Sequence, residues 1–171
     1  MCYYLRIASS LTLSEVRAML PPGITADSLP PGELARFRPS LPAAQTVAHL
    51  RVGACSCDLI RPRLPDPRED ERHLRARYKV LGLARDRIIR QLERHRRTVP
   101  VAAPAGGWGA ALSSFVAEHA RNAGPTIFQL SFHPAPEDPA GRTAPLTRTV
   151  SEVRAHPQGW LEEDRAVLVL R

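Results

Sequence analysis

Residues 66–97 read DPREDERHLRARYKVLGLARDRIIRQLERHRR, and the periodicity of this stretch decides the fold class. Asp66 is a helix N-cap. Pro67 takes the first helical position, where its missing N–H is no loss, and Glu69 follows three residues after the cap. Glu69, Asp70 and Glu71 fall in the first turn, where the helix dipole favours anions. Leu74, Tyr78 and Leu81 then recur at helical spacing, and Gly82 is a natural C-terminal stop. Ile88, Ile89 and Leu92 supply the apolar face of a second helix that runs to about Arg97. The middle of the chain is therefore a helical hairpin, residues 61–97.

The flanks read as sheet. Residues 2–8, rich in Tyr, Leu and Ile, predict a strand, and 46–52 (TVAHLRV) alternate well enough for another. Thr12-Leu13-Ser14-Glu15 is a capping box that opens a short helix, stopped by Pro21-Pro22-Gly23. Nine of the 17 prolines fall between Pro21 and Pro67, so the segment between these strands predicts loop. Beyond the hairpin, 98–107 is a Gly/Pro/Ala linker and Trp108 to Asn122 a third long helix. Thr126 to Phe132, Leu146 to Arg154 and Ala166 to Leu170 then read as strands, with a Pro-rich loop from Pro134 to Pro145. Strands, a helical block and strands again predict an α+β fold, a mostly antiparallel sheet covered by helices. A length of 171 residues fits one domain over 1–171.

The hydrophobic fraction of 43% is enough for a core, and the aromatic fraction of 5% leaves that core to Leu, Val, Ile and Ala. The opening Met-Cys-Tyr-Tyr-Leu-Arg lacks the basic and apolar regions of a secretory signal. Three cysteines, two of them one residue apart, do not make a secreted disulfide framework. The expectation is a cytoplasmic protein. From Thr98 to Ala117 no residue is charged, but Pro100, Pro104, Gly106, Gly107 and Gly109 break a spanning helix, so no transmembrane segment is expected.

The formal charge of +7 is confined. Between Arg61 and Arg97 stand 13 basic and 6 acidic residues; totals of 24 and 17 leave 11 of each elsewhere. Helical spacing puts Arg68, Arg72, Arg75 and Lys79 on one face of the first helix. It puts Arg87, Arg90, Arg94 and Arg97 on one face of the second. Such ridges suit an acidic surface of a protein complex, because the arginine fork binds carboxylates or phosphates bidentately; the anionic face of a membrane is a further option. The competing reading is a solvated face. Lys79 is the chain's one lysine, an arginine bias that a GC-rich genome produces without functional demand, and a pair such as Glu71–Arg75 consumes charge locally. Nucleic acid is the other acidic partner. Tyr78 to Ile89 faintly follows a helix-turn-helix with Gly82 at the turn, although Tyr78 and Gln91 depart from that pattern.

Cys55-Ser56-Cys57-Asp58 is the most chemical stretch. Three readings fit it: small buried inert cysteines; a metal set of Cys2, Cys55, Cys57 and Asp58, with zinc as the ion and no other cofactor expected; or a reactive thiol whose pKa Arg51 and Arg61 lower. Met1-Cys2-Tyr3-Tyr4, Cys55-Ser56-Cys57-Asp58-Leu59 and Leu74-Arg75-Ala76-Arg77-Tyr78 together resemble a group of uncharacterised bacterial proteins. Those open Met-Cys-Tyr-Phe and carry Cys-Ser-Cys-Asp-Leu before a basic helix containing Arg-Arg-Lys-Tyr. The resemblance spans roughly residues 1–95. Tyr4 stands in place of the Phe, and Ala76 interrupts the basic run. The resemblance implies no activity, but it groups Cys2, Cys55, Cys57 and Asp58. Glu118-His119 with His133 and His156 is a thin acid–base candidate, and Gly106-Gly107-Trp108-Gly109 lacks the Lys-Ser/Thr of a phosphate loop. With no complete catalytic set, the leading expectation is a non-catalytic interaction protein.

Overall fold

The computed structural model describes residues 3–61, 66–97, 100–132, 144–157 and 159–171. In chain order the elements are β1 (Tyr4–Ser9), α1 (Leu13–Met19), β2 (Ile24–Ser28), α2 (Pro31–Phe37), β3 (Thr46–Val52) and α3 (Cys57–Ile60). The two helices α4 (Pro67–Val80) and α5 (Arg85–Arg97) follow. The chain closes with α6 (Gly107–Ala123), β4 (Thr126–Ser131), β5 (Leu146–Thr149), α7 (Val150–Ala155) and β6 (Ala166–Leu170). The six strands form one sheet in the order β2-β3-β1-β4-β6-β5. Every pairing is antiparallel except β5 with β6, so the α+β expectation holds.

β1 is central and buried on both faces. Leu5 and Ile7 join Leu50, Phe128, Val167 and Val169 in the main core under α1, α3, α6 and α7. Ala8 faces the other way, with Val47, Ile127 and Ala166, beneath Phe37, Leu41 and Ala44 of α2 and the loop after it. The same face carries Arg6, 4% exposed, which donates to Ser131 Oγ at 2.9 Å and faces Glu33 of α2 at 3.8 Å. Burial holds the Arg6 guanidinium below its ordinary pKa.

Several elements form for reasons legible in the sequence. The Thr12–Glu15 capping box is present: the Glu15 N–H donates to Thr12 Oγ1, and Glu15 Oε2 accepts from the Thr12 N–H. Asp66 caps α4 by accepting from the Arg68 N–H at 2.8 Å. α4 stops at Gly82, whose φ of +69° suits glycine, and the Leu83 N–H closes back on the Tyr78 carbonyl.

Three expectations change. The 146–154 strand ends at Thr149, because Thr149-Val150-Ser151-Glu152 is a second capping box that starts α7. The segment expected as loop holds β2 and α2, with Pro31 in the first turn of α2. Leu81 and Ile89 are each 39% exposed: α5 buries the stripe of Ile88 and Leu92, and Ile89 lies one helical step off it, while Leu81 sits in the turn after α4. The loop expected over Pro134 to Pro145 lies almost wholly outside the described residues, as do residues 98 and 99 of the linker.

Two buried contacts tie the body together. Trp108 lies over Gly23, where a Cβ would come within 2.6 Å of the indole. His119 is fully buried between Ser9 Oγ at Nε2 and Thr126 Oγ1 at Nδ1, both at 3.0 Å. Burial lowers its pKa to about 4, so it is neutral. Of the acid–base candidate, His119 is a core histidine, Glu118 is exposed, and His133 lies outside the described residues.

Candidate functional site

The site begins at the end of β3. After the Gly53 turn, Cys55 bridges back to Val52, and the Ser56 N–H donates to the Tyr3 carbonyl at 3.2 Å. The Ser56 side chain is fully buried and fully used. Its hydroxyl donates to the Leu50 carbonyl at 2.5 Å and accepts from the Leu5 N–H at 2.9 Å. A hydroxyl has one proton, so the His49 Nε2 at 2.9 Å must be the donor to the remaining lone pair. Ser56 thus rivets the cysteine segment to β1 and β3.

Cys55 and Cys57 flank this rivet, half-buried and not joined in a disulfide. The Cys57 N–H donates to Cys55 Sγ at 3.4 Å. Both line a cleft of about 280 Å³ between the sheet and the hairpin. Tyr3, Tyr4 and Phe132 form its body-side wall; Leu74, Tyr78, Gln91, Arg94 and His95 face them from α4 and α5; Asp58 and Arg61 close the side next to the cysteines. The buried side of the hairpin is apolar, with Tyr78, Ile88 and Leu92 packed against Phe132. Tyr3 meets Phe132 edge-on at 4.9 Å between centroids.

A charged clasp fixes the hairpin beside the cleft. Asp70 is 3% exposed, and its two oxygens accept from Arg61 Nη2 and His95 Nε2, each at 2.7 Å. Glu163 pairs with Arg77 and accepts from the Tyr3 hydroxyl at 3.4 Å. Burial first, and the Glu163 carboxylate next, push the Tyr3 phenol above its ordinary pKa, so it stays protonated. Glu71 pairs with Arg96 across the hairpin instead of with Arg75 along α4. The Arg96 hydrogen bond holds the Glu71 carboxyl below its usual range.

The residues singled out in the sequence separate into two groups. Cys55, Cys57, Asp58 and Arg94 share the cleft. Arg68, Arg72, Arg75 and Lys79 stand exposed on α4, and Arg87, Arg90 and Arg97 on α5; none of these seven enters an ion pair among the described residues. Cys2 lies outside the described residues. Among those described, no three His, Cys, Asp or Glu side chains gather as a metal set. No helix among the described residues is long and apolar enough to cross a membrane.

Comparison with family models, curated proteins and solved structures finds no match for this chain.

Asp70 reads from the sequence as a first-turn acid and Arg61 as a neighbour of the cysteines, but their meeting with His95 was not foreseen, although two of the three carry a signal. Asp70 begins the 70, 74, 78 stripe that α4 buries, and His95 extends the 88, 92, 95 stripe of α5. An acid and a histidine on two apolar stripes that face each other in a hairpin are candidates for one buried pair.

Proposed function

We propose that this chain is an interaction protein that docks its α4–α5 hairpin on an acidic surface of a protein complex. One observation carries the reading: Arg68, Arg72, Arg75 and Lys79 on one ridge, and Arg87, Arg90 and Arg97 on the other, stand exposed with no ion pair among the described residues, while Asp70 and Glu71 of the same hairpin are turned to internal pairs. Surface charge of one sign steers an oppositely charged partner and raises its association rate. The tip adds apolar contact area. Val80 is 81% exposed, and Leu81 and Ile89 lie near it in the chain, so an electrostatically guided encounter has apolar surface to bury.

The test compares wild type with a variant carrying Arg87→Glu, Arg90→Glu and Arg97→Glu, three exposed positions outside the apolar cluster. Affinity capture from native extract should lose the partner complex in the variant while circular dichroism is unchanged. Equal recovery from both proteins contradicts docking through the ridge. Anionic vesicles and duplex DNA at low salt run beside it. Binding to either that the variant loses, with protein capture unchanged, moves the reading to a membrane face or to nucleic acid, where affinity falls steeply with salt.

A further inference from the structure

We propose that the cleft between the sheet and the hairpin binds a small, uncharged, planar nitrogen heterocycle that presents a hydrogen-bond donor beside an acceptor, the pattern of an adenine ring. This stands independently of the docking reading. The chain has 3 tyrosines, and all of them, Tyr3, Tyr4 and Tyr78, line this one cleft together with Phe132. With an aromatic fraction of only 5% in the whole chain, that gathers flat ring surface at one place. Phe132 holds two of the rings in position. Tyr3 meets it edge-on, and Tyr78 packs against it with 5.9 Å between centroids and 48° between planes. Fixed aromatic walls give a flat guest contact area without the entropy cost of ordering loose side chains.

Volume and charge narrow the guest. The cleft has about 280 Å³. An apolar cavity of about 150 Å³ takes one benzene ring, so this one suits a pair of fused rings and nothing much larger. The charged side chains on the lining are already engaged. Arg61 and His95 donate to Asp70, and Asp58 and Arg94 hold interactions of their own. A charged guest would give up its hydration for no uncommitted counter-charge, whereas an uncharged ring gives up little.

Gln91 supplies the polar handle. It is half-buried on α5, lines the cleft, and its carboxamide forms no hydrogen bond among the described residues. A carboxamide sets an acceptor oxygen beside a donor nitrogen. Its complement is a ring edge with a donor next to an acceptor, which is how glutamine pairs with the amino group and adjacent ring nitrogen of adenine. The site is an aromatic slot with one two-point polar contact.

The probes are 9-methyladenine and 9-methylpurine, both uncharged and different only in the exocyclic amino group. Each is titrated into the full chain while backbone amide NMR shifts are followed. The amides of Tyr3, Tyr4, Cys55, Cys57 and Gln91 should move, and 9-methyladenine should bind about tenfold more tightly than 9-methylpurine. Gln91→Leu should abolish that preference and leave the weaker affinity in place. Equal affinities in wild type, or tighter binding of 9-methylpurine, overturn the paired edge, and a Gln91→Leu chain that keeps the preference overturns the role of Gln91. Shifts confined to other parts of the chain, or none at the solubility limit of the probes, overturn the site. The probe comparison is made on the unsubstituted chain, so it holds even if the variant does not fold.

Discussion

Ser56 shows how one hydroxyl organises a site. Removing it by Ser56→Ala strands the Leu5 N–H, the Leu50 carbonyl and the His49 Nε2 donor around a buried position. An unsatisfied buried polar group costs about 1–3 kcal/mol, so the substitution should cost about 2–4 kcal/mol in urea unfolding; a loss within experimental error would mean that water replaces the rivet. Nothing in the string Cys-Ser-Cys-Asp reveals this role, because the partners of Ser56 lie on β1 and β3 and exist only once the sheet has formed. His119 makes a second prediction at this scale. Its pKa is about 4 in the native state against 6.5 when unfolded, so between those values the unfolded chain binds the extra proton. Stability is therefore full above pH 6.5 and falls as pH drops toward 4, by on the order of 3 kcal/mol in all. Glu15, Glu71 and Glu152, whose carboxyls are held below their ordinary value of 4.5, add to the fall only near the acid end of this range, and do so equally with or without His119. Urea midpoints across pH 4–6.5 should show the fall in wild type and a flatter profile in His119→Asn; matching profiles would mean that another group titrates.

Elements with local signals were readable, and those built by tertiary contact were not. Both boundaries of α4 follow from Asp66 and Gly82, and α1 follows from its capping box. The same box at Thr149–Glu152 lay unread within a stretch whose alternation resembles a strand, and β5 keeps only the first four of those residues. β2 was hidden by the prolines around it; its pairing with β3 from Ile24–Val52 to Ser28–Ala48 overrides their loop bias. The hairpin presents the clearest energetic question at this scale. Its helices rest on the small apolar cluster around Tyr78 and on the Asp70 clasp to Arg61 and His95. Breaking a buried ion pair costs about 3–5 kcal/mol; here Arg61 and His95 keep some solvent, so about 2–3 kcal/mol is expected. Asp70→Asn should accelerate amide exchange across 67–97 and leave exchange in β1, β3 and β4 as in wild type. Uniform acceleration through the sheet would show that the hairpin and body open as one unit.

At the scale of the molecule, charge and fold separate cleanly. The sheet and its covering helices carry balanced charge, and the excess belongs to one appendage whose ridges face outward. The ridges were legible because helical spacing alone places arginines on a face. The cleft was not, because it joins residues from β1, the β3–α3 turn and both hairpin helices, from Tyr3 to Phe132 in the sequence. The two features meet at Arg94, which belongs to a ridge and lines the cleft. The most direct test of docking is arginine footprinting with phenylglyoxal, comparing the free chain with its captured complex. Docking through the ridges predicts protection of Arg68, Arg72, Arg75, Arg87, Arg90 and Arg97, while exposed Arg38, Arg121 and Arg154 label as in the free chain. Unchanged labelling of the ridges in a complex that protects arginines elsewhere would contradict it.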